Sequence, residues 1–215
     1  MDGTQHYSPL EEMTNIISHA VGLVLSTVAL LLMLIRAGES GDTLHIVSAA
    51  IFGASLIALY AASTLYHGAK DPNVRARLRI NDHATIYILI AGTYTPFTLV
   101  TLNGWVGWTV FGVSWGMALA GVILKLLFTG KYNALSTLMY VVMGWIIIFA
   151  IKPVYNNLPL EGFLWLVAGG MSYTIGAIIY SIKKIKFNHA IFHMFVLVGS
   201  ACHFVSVFYY VLPGE

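Results

Sequence analysis

Apolar stretches recur along the chain at about 16–35, 44–66, 84–102, 105–128, 134–151, 162–182 and 189–212. Each approaches the roughly 20 apolar residues that cross the hydrocarbon of a bilayer. They are parted by short polar or turn-rich joints: RAGESGD, GAKDPNVRARLRIN, LNG, TGKYN, KPVYNNLP and KKIKF. Backbone groups inside hydrocarbon must satisfy one another, so the stretches predict helices. The alternating pattern of a β-barrel is absent. Links this short set neighbouring helices antiparallel. The prediction is an all-α polytopic membrane protein, a bundle of seven transmembrane helices forming a single membrane domain over residues 1–215.

Composition agrees, since 58% of the 215 residues are hydrophobic and only 9% are charged, against about a quarter charged in soluble domains. The net charge of +2 matters less than its placement. Lys70, Arg75, Arg77 and Arg79 follow span two, Lys131 follows span four, and Lys183, Lys184 and Lys186 follow span six. The opposite side carries only Arg36 and Lys152. By the positive-inside rule the N-terminus is cytoplasmic and the C-terminus external. The opening segment MDGTQHYSPLEEMTN has no basic residue before an apolar core, which excludes a cleavable signal peptide. A single cysteine, Cys202, excludes an internal disulfide. Nothing suggests a nucleic-acid partner.

Ionisable residues inside a span are costly and by default mark a site. His67 closes span two, Asp82 and His83 open span three, and His189 and His193 open span seven. The orientation above brings all of these to one depth near the cytoplasmic face. His189 and His193, four apart, share one helical face and can share one metal. Ser63 stands one turn deeper than His67. Three neutral imidazoles leave a fourth tetrahedral position for water, the usual plan of a catalytic zinc site. Asp82 is placed to orient that water, as outer carboxylates do. The ligand type alone leaves other imidazole-binding metals open.

Plainer readings compete at each position. A lone membrane histidine is more often a packing hydrogen-bonder than a ligand, and a serine at a helix interface is routine. The convergence of three histidines and an aspartate from three helices favours the metal. His203, several turns deeper on span seven, reads as a buried hydrogen-bonder. His19 and Ser18, at the start of span one, can close the site from another side. His83 points about 100° away from Asp82 around its helix. His45 is interfacial at the outer end of span two, and His6 lies in the tail. Pro96, within Tyr94-Thr95-Pro96-Phe97, predicts a kink in span three. Trp105, Trp108 and Trp165 read as interface belts, and Lys125 as snorkelling to the headgroups. Residues 189–212 hold no lysine, which excludes a Schiff-base retinal protein.

The set S63-T-L-Y-H67, Asp82 and H189-A-I-F-H193 resembles the motifs of the progestin and adiponectin receptor (PAQR) family. The opening E11-E-M-T-N-I-I-S-H19 and the compact length are similar to its bacterial branch, the hemolysin III proteins. The resemblance covers the chain from Glu11 to the end of span seven. It implies a seven-helix bundle with a cytoplasmic N-terminus, and zinc bound by His67, His189 and His193 with Asp82 contacting the metal water. The wider superfamily includes alkaline ceramidases, so the implied chemistry is hydrolysis of a lipid amide. This chain lacks the long N-terminal region of the animal receptors, which leaves hormone binding without support.

Three functions follow as expectations. The first is a zinc-dependent intramembrane hydrolase of a lipid amide or ester at the cell membrane, with Asp82 as general base and Ser63 donating to the developing oxyanion. The second is a membrane-homeostasis or receptor-like protein with a structural zinc, which needs no open coordination position. The third is a hemolysin-like cytolysin, which ordinarily requires a soluble form that inserts later.

Overall fold

The computed structural model describes residues 7–128 and 133–212. His6 and Lys131, both weighed above, lie outside them. Helix α1 spans Pro9–Ser40, α2 Thr43–Gly68, α3 Pro72–Pro96, α4 Gly104–Phe128, α5 Asn133–Gly144, α6 Ile151–Asn157, α7 Leu160–Ser181 and α8 Asn188–Ser206. Among the described residues there is no strand. Among the described residues, seven helical segments are long and apolar enough to cross a membrane: Pro9–Glu39, Thr43–Gly68, Pro72–Leu102, Gly104–Phe128, Leu135–Asn157, Leu160–Ser181 and Asn188–Val211. The chain is an all-helical, multi-pass integral membrane protein.

Two helices begin well before the apolar pattern does. α1 starts at Pro9, where Ser8 Oγ accepts from the Glu11 backbone N–H. α3 starts at Pro72, where the Asp71 carboxylate accepts from the N–H groups of Asn73 and Val74. Proline at the first helical position and a side-chain oxygen on the orphan donors are strong start signals. Most of the segment expected to be the joint GAKDPNVRARLRIN is therefore the first turns of α3. Its polar composition reflects a helix end outside hydrocarbon. At the other face Asp42 caps α2 through the Leu44 N–H, a bond that holds its carboxyl below the usual range.

α1 packs between α2 and α8, α3 lies between α2 and α4, and α7 lies against α8. α5 and α6 complete the wall against α3, α4 and α7. The core includes Phe52, Tyr60, Tyr87, Phe97 and Met143. Outward faces carry exposed apolar residues such as Val24, Leu31, Leu119 and Phe149, as a lipid-facing surface requires. Trp105 and Trp108 are exposed at the start of α4, where an interfacial belt belongs.

The disturbance expected at Pro96 takes a particular form. α3 widens into a π-helical stretch over Phe97–Leu102, in which the Asn103 N–H bonds the Thr98 carbonyl. Thr98 Oγ1 returns to the carbonyls of Tyr94 and Thr95, and the Tyr94 carbonyl also accepts from the Phe97 N–H. α4 then turns back so closely that a Cβ on Gly107 would collide with the Thr98 carbonyl oxygen. That oxygen is backbone and cannot rotate away. Gly107→Val is therefore expected to destabilise the bundle by about 1–3 kcal/mol, read as a lower melting temperature in detergent. An unchanged melting temperature would contradict this packing.

The fifth span is broken as well. α5 gives way to a 3-10 stretch at Ile146–Ala150 before α6. The Tyr94 hydroxyl donates to the Gly144 carbonyl at 2.7 Å and accepts from the Ile147 N–H at 3.2 Å. One phenol thus satisfies both sides of the break.

Candidate metal centre

His67 stands at the C-terminal end of α2, and His189 and His193 in the first turns of α8. All three are buried. His189 Nε2 lies 3.0 Å from His67 Nε2 and 3.0 Å from His193 Nε2. One nitrogen from each ring lies within 4.8 Å of the others. Among the described residues these three form the group of histidine, cysteine or carboxylate side chains that could hold a metal ion.

The surroundings decide which nitrogens carry protons. His67 Nδ1 meets Glu12 Oε2 of α1 at 2.7 Å. A carboxylate only accepts, so that nitrogen is the donor and Nε2 keeps a lone pair. Ser18 Oγ donates to the Asn15 carbonyl, which leaves it to accept from His193 Nδ1 at 3.4 Å. The Asn15 backbone also lies beside that imidazole. His193 Nε2 therefore keeps a lone pair too. Two fixed lone pairs then converge on His189 Nε2, and a single shared proton cannot satisfy both 3.0 Å approaches well. A cation can. Two imidazoles on one tetrahedral zinc, with Zn–N about 2.0–2.1 Å, stand about 3.3 Å apart, so the observed spacing fits such an ion.

α1 builds most of this support. Glu12 also pairs with the Arg75 guanidinium of α3. Arg75 reaches the carbonyls of Tyr66, His67 and Ala69 at the end of α2 and lies over the Tyr66 ring, 4.7 Å from its centroid. Tyr7 stacks on His189 at 4.7 Å between centroids. His19 stacks on His193 at 3.5 Å and 7°. Reading the sequence by apolar runs missed Glu12, Arg75 and Tyr7. The N-cap pair Ser8-Pro9 places Glu12, Asn15 and His19 on one face of a helix, and that signal could have found the first of them.

The remaining residues sort by position. Asp82 and Ser63 are buried and line the same cavity as His189 and His193. The Ser63 hydroxyl faces the Asp82 carboxylate without closing a full hydrogen bond. His83 also lines this cavity, its Nε2 4.0 Å from Asp82. His45 lies near Asp42 at the far end of α2. His203 is buried, with Nε2 3.2 Å from the Leu166 carbonyl. Lys125 does not snorkel to headgroups: it is 3% exposed and lines the cavity with Arg79. Its position on the inward face of α4, with Ala118 and Gly121, turns it away from lipid. The cavity measures about 650 Å³ and runs from His189 and His193 to Phe97, Phe163 and His203, a size that takes small ligands.

The sequence model of the family described as haemolysin-III related matches residues 7–204. The chain is 47% identical over 203 residues to Hemolysin-3 of Bacillus cereus, covering 94% of this chain and 93% of that protein. It is 46% identical over 200 residues to the Hemolysin-3 homolog of Bacillus subtilis (strain 168), covering 93% and 94%. A more distant relative is the human monocyte to macrophage differentiation factor, 29% identical over 177 residues, with 80% and 73% covered.

Proposed function

Because the chain belongs to the haemolysin-III related family of the PAQR group, we propose that it is a zinc-dependent intramembrane hydrolase of a lipid amide or ester. The observation that carries the proposal is the convergence of His67, His189 and His193, two of them locked by α1 with lone pairs facing inward. The cavity leads from His189 and His193 into a largely apolar interior, which suits an acyl chain.

His67, His189 and His193 would hold the zinc. When bound, zinc supplies Lewis acidity toward a carbonyl and makes water acidic near neutral pH. Asp82 is the general base: burial keeps its carboxylate out of bulk water, facing the cavity where an attacking water would stand. Ser63 donates a hydrogen bond to the oxyanion as it develops. Glu12 is a positioning residue, fixing the tautomer and tilt of His67, and Arg75 holds Glu12 in turn. The zinc end of the bundle is cytoplasmic, with the C-terminus external, at the cell membrane. Support comes from Arg75, Arg77, Arg79, Lys183, Lys184 and Lys186 at the same end of the helices as the trio.

The test is a panel of N-acyl and O-acyl lipids presented to the zinc-loaded protein in detergent. Free fatty acid is expected from at least one lipid, and its release stops on chelation and returns with zinc. Stoichiometric zinc without hydrolysis across the panel would instead assign the ion a structural role. A second expectation concerns Glu12. Partners that orient a metal-bound histidine contribute about 10- to 100-fold in metal affinity. Glu12→Gln should weaken zinc binding by that factor with helical content unchanged, as measured by competition with a chromogenic chelator.

A further inference from the structure

Ten residues beyond His193, the same helix carries His203 to the other end of the cavity, about 15 Å away at the helical rise. His203 is 4% exposed. Its Nε2 meets the Leu166 carbonyl of α7, so that nitrogen bears the proton and Nδ1 keeps a lone pair. Nδ1 has no hydrogen-bond partner. A buried acceptor without a donor carries a desolvation cost. α7 makes room for this imidazole, since a Cβ at Gly169 would run into the ring edge bearing Nε2 and Cδ2. The ring is seated, and one of its polar atoms is left over.

Tyr173, also on the cavity wall, meets the His203 ring edge-on with centroids 5.3 Å apart. Its hydroxyl is 2.9 Å from Ser200 Oγ, and the Tyr60 hydroxyl donates to the same Oγ at 2.7 Å. Ser200 Oγ accepts from Tyr60, and in the arrangement where it donates its own proton to Tyr173 the Tyr173 O–H is left to donate. An acceptor and a donor then stand beside each other at the deep end. A hydroxyl group satisfies both, because it donates and accepts at once. A carboxylate there would oppose the Nδ1 lone pair, and a methyl group would leave both atoms unsatisfied. Between the two ends the wall is largely apolar, with Ile86, Leu89, Ile90 and Val196 on it.

We propose that the cavity binds an alkyl chain with two polar ends, a carbonyl or carboxylate at the histidine trio and a hydroxyl received by His203 and Tyr173. The trio end rests on the zinc reading above, whereas the His203 end does not. The test uses full-length, zinc-loaded protein in detergent, with 12-hydroxydodecanoate and dodecanoate competing against a fluorescent fatty acid. The hydroxylated probe is expected to bind about tenfold tighter, the worth of one good buried hydrogen bond. His203→Phe should erase that ratio while leaving dodecanoate unchanged. Tyr173→Phe, which removes only the donor, should reduce the ratio and serves if His203→Phe does not fold. Equal binding of the two probes to the wild type, or a ratio that survives in the variants, overturns the proposal. Failure of the zinc reading shows separately, as binding of both probes that is indifferent to chelation while their ratio persists.

Discussion

The His193→Ala protein is expected to purify without zinc, while the wild type carries close to one ion per chain. Of the trio, His193 has the least solvent exposure, and its loss removes one of two lone pairs held in place by α1. Removing a ligand costs more than removing an orienting partner, so the affinity should fall by more than about 100-fold. His67→Ala should do the same from a different helix. The measurement is elemental analysis beside circular dichroism, so that loss of metal is separated from loss of fold. A variant that keeps full zinc would show that the ion, if present, is held elsewhere.

Asp82→Asn should give the opposite dissociation, with metal retained and turnover lost. The amide keeps the shape of the carboxylate but cannot accept a proton. A positioned acid or base contributes about 100- to 10,000-fold, and hydrolysis should drop by that factor. The Asp82 carboxylate is not among the atoms grouped with the histidine nitrogens, so zinc content should match the wild type. Equal loss of zinc and activity would make Asp82 a ligand. Unchanged activity would remove it from the chemistry.

Much of this architecture is legible in the sequence because hydrocarbon permits few solutions. Apolar length gave seven spans, and the rarity of ionisable groups within them drew attention to His67, Asp82, His189 and His193. What stayed hidden has a physical reason. The segments around Glu12 and Arg75 are polar, and polar segments beside a membrane read as links. Hydropathy cannot tell a loop from a helix that extends into the interface, whereas the capping residues Ser8 and Asp71 can. Lys125 misled for a related reason. A lysine near a span end ordinarily reaches for headgroups, and only the packing of α4 shows that this one faces inward. The break in the fifth span left no mark in hydropathy, since Ile146, Ile147 and Ile148 are as apolar as any helix interior, although Gly144 and Pro153 flank it.

The trio and its supports join residue 12 to residue 193, nearly the whole length of the chain. Both α8 histidines are synthesised only after the six preceding spans. Until then His67 and Glu12 are two members of an unfinished set. On the zinc reading proposed above, metal capture becomes a terminal event of biogenesis, and a chain stalled before its last helix would lack two of the three imidazoles that could hold the ion.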